Sequence, residues 1–109
     1  YARMNMKDEA MNDLNELLTK RWLTGSFIPI DATDSFDALN KILIERRKEL
    51  LMRSLRWMDI KRLNKEGAGI DLRREINGNT YSLPANDLRF ALPIPEDQVS
   101  DFGLEQNHY

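Results

Sequence analysis

Glu45 and Glu49 stand four residues apart in the run ERRKELLMRSLRWMDIKRLNKE, from Glu45 to Glu66. On a helix that spacing brings two carboxylates to one side, and a pair within about 5–10 Å is what acid and base chemistry at a glycosidic bond requires. The surroundings argue against that use. Three arginines lie within reach, and neighbouring cations keep carboxyl groups ionised instead of raising one for proton donation. No catalytic residue is assigned, and the chain is not expected to be an enzyme. The aromatic residues offer a different chemistry, because an exposed ring face packs on the apolar face of a pyranose. Trp22 and Phe27, at the end of one helix and in the loop after it, are the candidates for ligand contact. Trp57 shares a helical stripe with Leu43 and Leu50 and reads as core, and Tyr81 reads as a cross-strand packing residue. His108 has no second or third ligand near it, so no metal site is expected. The sequence has no cysteine, hence no disulfide, thiolate metal site or thiol nucleophile. No Gly-rich phosphate loop is present, and no cofactor is expected.

The elements that must position these residues follow from periodicity. Ala10, Met11, Leu14, Leu17 and Leu18 recur at the helical spacing, which predicts a first helix over about residues 7–21, closed by Gly25. Asp34 or Ser35 can cap a second helix, with Asp37 near its positive end. Leu39, Leu43, Leu50 and Trp57 then fall on one stripe, flanked by Phe36, Ile42, Leu51 and Met58, which predicts a long helix over about residues 35–64 with a kink near Ser54. That apolar arc is wider than the roughly 100° a surface helix needs, so the helix should pack on more than one side. Glu49 with Arg53 and Asp59 with Arg62 have the spacing of intrahelical ion pairs. REINGNTYSL, from Arg74 to Leu83, predicts a β-hairpin over about residues 73–83, turning at Asn77-Gly78. Beyond Pro84 the chain reads as an irregular strap over residues 84–109, since Pro93 and Pro95 oppose an ordered helix. The fold class expected is mainly α: a helical hairpin, a small β-hairpin and that strap.

The length of 109 residues allows one domain at most. The chain begins at Tyr1 and shows neither a signal peptide nor an apolar run of about 18 residues, so it is expected to be a trimmed piece of a longer protein. Charge is segregated. Lys41 to Lys65 holds nine Lys or Arg and three acids, a net +6, whereas Asn86 to Tyr109 holds one Arg and five acids, a net −4. Acids interrupt the basic stretch where pairing is available, and phosphate binding wants an unbroken positive surface, so nucleic acid is not an expected partner. The acidic tail, with Glu96, Asp97 and Asp101, is instead expected to lie near the basic helix.

The ordered series of short motifs carries a family resemblance. Glu45-Arg46, Glu49-Leu50, Arg56-Trp57 and Asp59 to Arg62 are followed by the hairpin, an Asn-Asp-x-Arg-Phe segment, Leu92-Pro93-Ile94-Pro95 and the closing Gln106-Asn107. Nearly the whole chain resembles the C-terminal end of the SusD/RagB family of outer-membrane nutrient-binding lipoproteins. The resemblance implies a segment of a longer, tetratricopeptide-containing α-superhelical fold. It also implies a surface location on the outer membrane of Bacteroidetes-type bacteria through an N-terminal lipid anchor that this chain lacks. The implied partners are a SusC-like TonB-dependent transporter, a glycan or other nutrient, and the remainder of the parent chain. The implied role is non-catalytic capture and delivery of the nutrient. Glu45, Arg46, Glu49, Arg56, Trp57, Asp59, Arg62, Pro93 and Pro95 are then structural motif residues. Ser54 stands where the family has Gly. The alternative reading from the residues alone is a helical protein–protein interaction module whose wide apolar surface docks a partner chain.

Overall fold

Ala10, Met11 and Leu14 line one face of a helix, and the chain buries that face against Ala2, Ala32 and Ala38 to make a small core. The computed structural model describes residues 1–107. Among the described residues the protein is mainly helical, with a two-stranded antiparallel sheet. It divides into two units, Tyr1–Ser54 and the chain from Leu55 onward.

In the first unit α1 spans Lys7–Arg21, with Asp8 and Glu9 in its first turn and Lys20 and Arg21 in its last, an order that favours the helix dipole at both ends. Trp22 leaves the helix in extended backbone. Gly25 does not close α1; at φ +79° it serves the next turn, where the Ser26 N–H donates to the Leu23 carbonyl. The loop then returns along α1. The Asn15 amide donates to the Ile30 carbonyl at 2.8 Å, and its oxygen accepts from the Ile30 N–H at 3.0 Å. Of the two possible caps for α2, Ser35–Glu49, it is Asp34 that acts, its carboxylate accepting from the Asp37 N–H at 2.8 Å. Asp37 in turn accepts from the Thr33 N–H and from Lys41. Those two donors, Lys41 first, hold its carboxyl below the usual range. Lys7 donates to the Ala32 carbonyl and Lys41 to the Asp31 carbonyl, so a lysine from each helix ties down the loop between them.

The long helix predicted over residues 35–64 is two helices. α2 stops at Glu49 and α3 runs Arg56–Lys65. Between them Met52 and Ser54 adopt φ +61° and +57°, a left-handed conformation that an L-residue adopts at a cost of about 1–2 kcal/mol. The sequence keeps its helical pattern through this stretch, but a pattern forms helix only where its apolar face finds something to pack on. Leu51 is 71% and Met52 93% exposed. The break also dissolves the predicted stripe: Leu39 and Ile42 pack on the first core, whereas Trp57 lies beyond it. Ser54 therefore takes the left-handed position even though it is not glycine.

In the second unit α3 buries Ile60, Leu63 and Asn64. It ends in a six-to-one turn, with the Ala68 N–H donating to the Leu63 carbonyl at 3.0 Å and Gly67 at φ +93°. Asn64, 2% exposed, repeats the device of Asn15, accepting from the Ile70 N–H at 2.6 Å and donating to its carbonyl at 2.9 Å. The hairpin pairs β1, Leu72–Ile76, with β2, Asn79–Leu83, in the register Leu72 to Leu83 and Arg74 to Tyr81. Asn77 at φ +51° and Gly78 at φ +79° form its turn, the conformation that the Asn-Gly pair predicts.

The tail is not wholly irregular, because α4 spans Glu96–Phe102. Prolines that oppose a helix in its interior favour one at its start, where fixed φ helps and no N–H is needed. Pro95 is the N-cap, Glu96 and Asp97 occupy the first turn, and Gly103 at φ +62° is the left-handed C-cap. Gln106 then binds both backbone groups of Ile94, each at 2.9 Å, and Asn107 donates to the Leu92 carbonyl at 2.6 Å. The tail is thus closed on itself by amides; His108 lies outside the described residues.

Two substitutions should move stability in opposite directions. Ser54→Gly relieves the left-handed strain against glycine's greater unfolded-state freedom, a net gain of about 0.5–1 kcal/mol. Asn64→Leu strands the N–H and C=O of Ile70 and should cost about 2–3 kcal/mol. Urea midpoints at constant slope measure both, and a destabilising Ser54→Gly would contradict the strain assigned to the break.

Candidate functional site

Trp22 and Phe27 meet. Their rings lie 5.9 Å apart with planes inclined at 55°, held so because α1 releases Trp22 into extended backbone just before the Leu23–Ser26 turn carries Phe27 back. Trp22 is 57% exposed. Together they wall a cleft of about 390 Å³, completed by Leu18, Ile28 and Ile30 and by Glu45 and Lys48 of α2. Lys48 donates to the Glu45 carboxylate at 2.6 Å. The cleft thus sets apolar ring faces beside an acceptor and a donor on one rim, an arrangement that takes a ligand with an apolar face and polar edges. Sequence reasoning found the two aromatic residues but placed Glu45 among the structural motifs and overlooked Lys48. Its i,i+3 spacing from Glu45 is the signal that was available.

Glu45 and Glu49 do not act as a matched pair of carboxylates. Arg21, at the last turn of α1, reaches Glu49 with two donors, its Nε lying 3.0 Å from Oε2 and its Nη2 meeting Oε1. This bidentate contact joins α1 to α2, and it replaces the Glu49 to Arg53 pair expected from spacing. Asp59 and Arg62 do approach within 3.5 Å, and Arg62 also meets Glu66 at 3.3 Å. Arg46 and Arg56 fall on α2 and α3 respectively, so helical spacing does not relate Arg56 to Glu45 and Glu49. Trp57 is half-buried and packs on Phe90, ring centroids 4.9 Å apart. The break between α2 and α3 means that Trp57 no longer shares one helical stripe with Leu43 and Leu50. Pro93 lies between the two carbonyls that Asn107 and Gln106 engage, and Pro95 caps α4. The acids Glu96 and Asp97 serve the start of α4.

A second polar niche, also unforeseen, surrounds Asp87. Its carboxylate accepts from the Arg89 N–H, from Nε at 2.9 Å and from Nη2 at 2.8 Å. The Arg89 side chain, with its backbone N–H, pulls the Asp87 carboxyl from 3.8 down to about 2. Lys61, Lys65 and Asn86 line the neighbouring hollow of about 290 Å³. Asp87 here fixes the turn Leu88–Phe90 that delivers Phe90 to Trp57.

Three outcomes test these assignments. Trp57→Ala should cost about 2–3 kcal/mol through the lost contact with Phe90, while Trp22→Ala, at an exposed cleft wall, should change stability by less than about 0.5 kcal/mol. Because the folded Asp87 titrates below its unfolded value, its stabilising effect is complete above pH 3.8 and lost as pH falls towards about 2. Acid titrations of stability for the protein and for Asp87→Asn should therefore converge over that window; parallel curves there would refute the Asp87 to Arg89 coupling.

No family model matches the chain, and neither a curated protein nor a solved structure matches it. What the chain binds must therefore be argued from its own residues and geometry.

Proposed function

We propose that this chain is the C-terminal structural segment of a SusD/RagB-type nutrient-binding lipoprotein of a Bacteroidetes-type outer membrane. In this reading the segment belongs to a larger tetratricopeptide-containing superhelix and catalyses nothing. The parent protein captures a glycan or similar nutrient at the cell surface and passes it to a SusC-like TonB-dependent transporter. The cleft at Trp22 and Phe27 carries the capture reading: ring faces beside the Glu45 and Lys48 pair suit a polyhydroxylated ring with an apolar face. The motif series supports the family reading. Its two tail signatures, separated in sequence, are bonded to each other through Gln106 to Ile94 and Asn107 to Leu92.

A second reading, a helical protein–protein interaction module, draws on one observation. Phe36, Ile44, Leu51 and Met52 are all exposed on or just after α2, and large apolar side chains gathered at a surface mark a place of contact. In the first reading the remainder of the parent chain covers these residues; in the second a separate partner does.

The two separate at the gene and at the membrane. The first expects a long reading frame with an N-terminal lipid-attachment cysteine beside a TonB-dependent transporter gene, and co-purification of the two products from outer membranes. It also expects soluble oligosaccharides to bind the parent protein, with Trp22→Ala weakening binding about tenfold, a loss of about 1.4 kcal/mol. A short frame with no transporter beside it, together with no oligosaccharide binding, would decide for the interaction module.

A further inference from the structure

The hairpin has an open edge whose charge pattern complements itself. Its two-residue turn closes on the pair Ile76 to Asn79, and hydrogen-bonded and non-hydrogen-bonded pairs alternate along an antiparallel ladder. With Ile76 to Asn79 hydrogen-bonded, Arg74 to Tyr81 and Leu72 to Leu83 are hydrogen-bonded as well. Arg73 and Glu75 then direct their N–H and C=O groups away from β2. Arg73, Arg74 and Glu75 are exposed, and their backbone groups on that edge meet nothing among the described residues. The opposite edge differs. Its outward residues are Thr80 and Ser82, which carry no charge, and Arg89 approaches the Ser82 carbonyl at 3.5 Å.

We propose that the β1 edge is a self-pairing surface on which a second copy of this chain docks, β1 running antiparallel to β1 about a two-fold axis at Arg74. That register sets Arg73 opposite the partner's Glu75 and Glu75 opposite the partner's Arg73. It also sets Leu72 opposite the partner's Ile76, and Ile76 opposite the partner's Leu72. The hydrogen-bonding parity agrees, because the outward groups of 73 and 75 are the ones this register brings together, giving four new backbone bonds. Shifting it by one residue would face these groups with inward-directed ones. Opposite charges and apolar pairs facing each other stabilise such a contact, and a two-fold axis uses each complementary pair twice. The pairing makes one four-stranded sheet from two two-stranded ones, which alone are marginal in water. One feature opposes it: Arg74 faces the partner's Arg74. Each is set across its own ladder from Tyr81, whose ring can take part of the guanidinium charge. This inference concerns the second unit and does not depend on the nutrient-binding reading.

The test is a charge-swap cycle on the whole chain, read by sedimentation equilibrium against the 12.8 kDa monomer mass. The protein should show a concentration-dependent monomer–dimer equilibrium. Arg73→Glu places like charges opposite each other twice and should raise the dimer dissociation constant about tenfold. The double variant Arg73→Glu/Glu75→Arg restores both pairs and should bring it back to within about threefold. Arg74→Thr removes the repulsion and should tighten the dimer. Amide hydrogen exchange provides a readout that needs no variant: the Arg73 and Glu75 amides should gain protection with concentration while the Arg74 amide is protected throughout. A monomer at every concentration would overturn the proposal. So would a dimer indifferent to Arg73→Glu, one not rescued by the double swap, or one lacking protection at Arg73 and Glu75.

Discussion

Three side-chain amides hold this chain's loops by the same means. Asn15 binds both the N–H and the C=O of Ile30, Asn64 those of Ile70, and Gln106 those of Ile94. A carboxamide presents a donor and an acceptor side by side, as a strand neighbour does, so it can satisfy one residue's peptide groups where no strand lies alongside. A carboxylate can only accept and an ammonium can only donate. In each case an isoleucine is secured with its backbone partnered, so its side chain can approach apolar neighbours without stranding a polar group. Ile30 packs against the first core in this way. With cores as small as Ala2, Ala10, Met11, Leu14, Ala32 and Ala38 in one unit and Ile60, Leu63 and Phe90 in the other, apolar burial cannot by itself hold the long connections. The amides fix them instead, at roughly 1 kcal/mol per bond and a larger loss if one partner is removed.

Electrostatics acts on a shorter scale. Lys7 with Asp8, Lys41 with Asp37, Lys48 with Glu45, Arg62 with Asp59 and Arg89 with Asp87 join residues at most four apart. Such exposed pairs contribute about 0–1 kcal/mol each and orient turns more than they stabilise the whole. Two pairs reach further: Arg21 with Glu49, spanning 28 positions to join the last turns of two helices, and Lys7 with Asp31 at 3.6 Å, which ties the start of α1 to the loop before α2. Local pairing also explains how a basic centre and an acidic tail coexist. Asp87 and the acids of the α4 first turn answer to groups beside them in sequence, so the segregated charge does not require the two stretches to neutralise each other.

What could be read from sequence was whatever local chemistry decides. The α1 periodicity, the Asn77-Gly78 turn and the cap of α2, expected at Asp34 or Ser35 and found at Asp34, each depend on residues within a few positions. The misses share one cause: a signal whose meaning depends on what lies elsewhere. The stretch from Leu50 to Leu55 has the composition of a helix, yet it breaks, and Leu51 and Met52 stand exposed there. Pro93 and Pro95 read as helix breakers until their place before the first turn of α4 is known. The spacing of Glu49 and Arg53 suggested an intrahelical pair, but Arg21 arrives from another helix and takes Glu49 instead.

The candidate site shows the same division. Trp22 and Phe27 were legible as aromatic residues near a helix end, but the cleft between them required the Leu23–Ser26 turn and the wall supplied by α2. Glu45 changes meaning in that setting. On an isolated helix it is a solvated charge, whereas beside Trp22 it is an acceptor at the edge of an apolar wall, held in place by Lys48. Trp22, at 57% exposure, can change with little cost to the core, whereas Leu18 and Ile30 line the cleft and pack on that core as well. The Asn15 to Ile30 bonds fix more than one side chain, because they carry Ile30, a wall of the cleft packed on the core, and with it the course of the loop that brings Phe27 to Trp22.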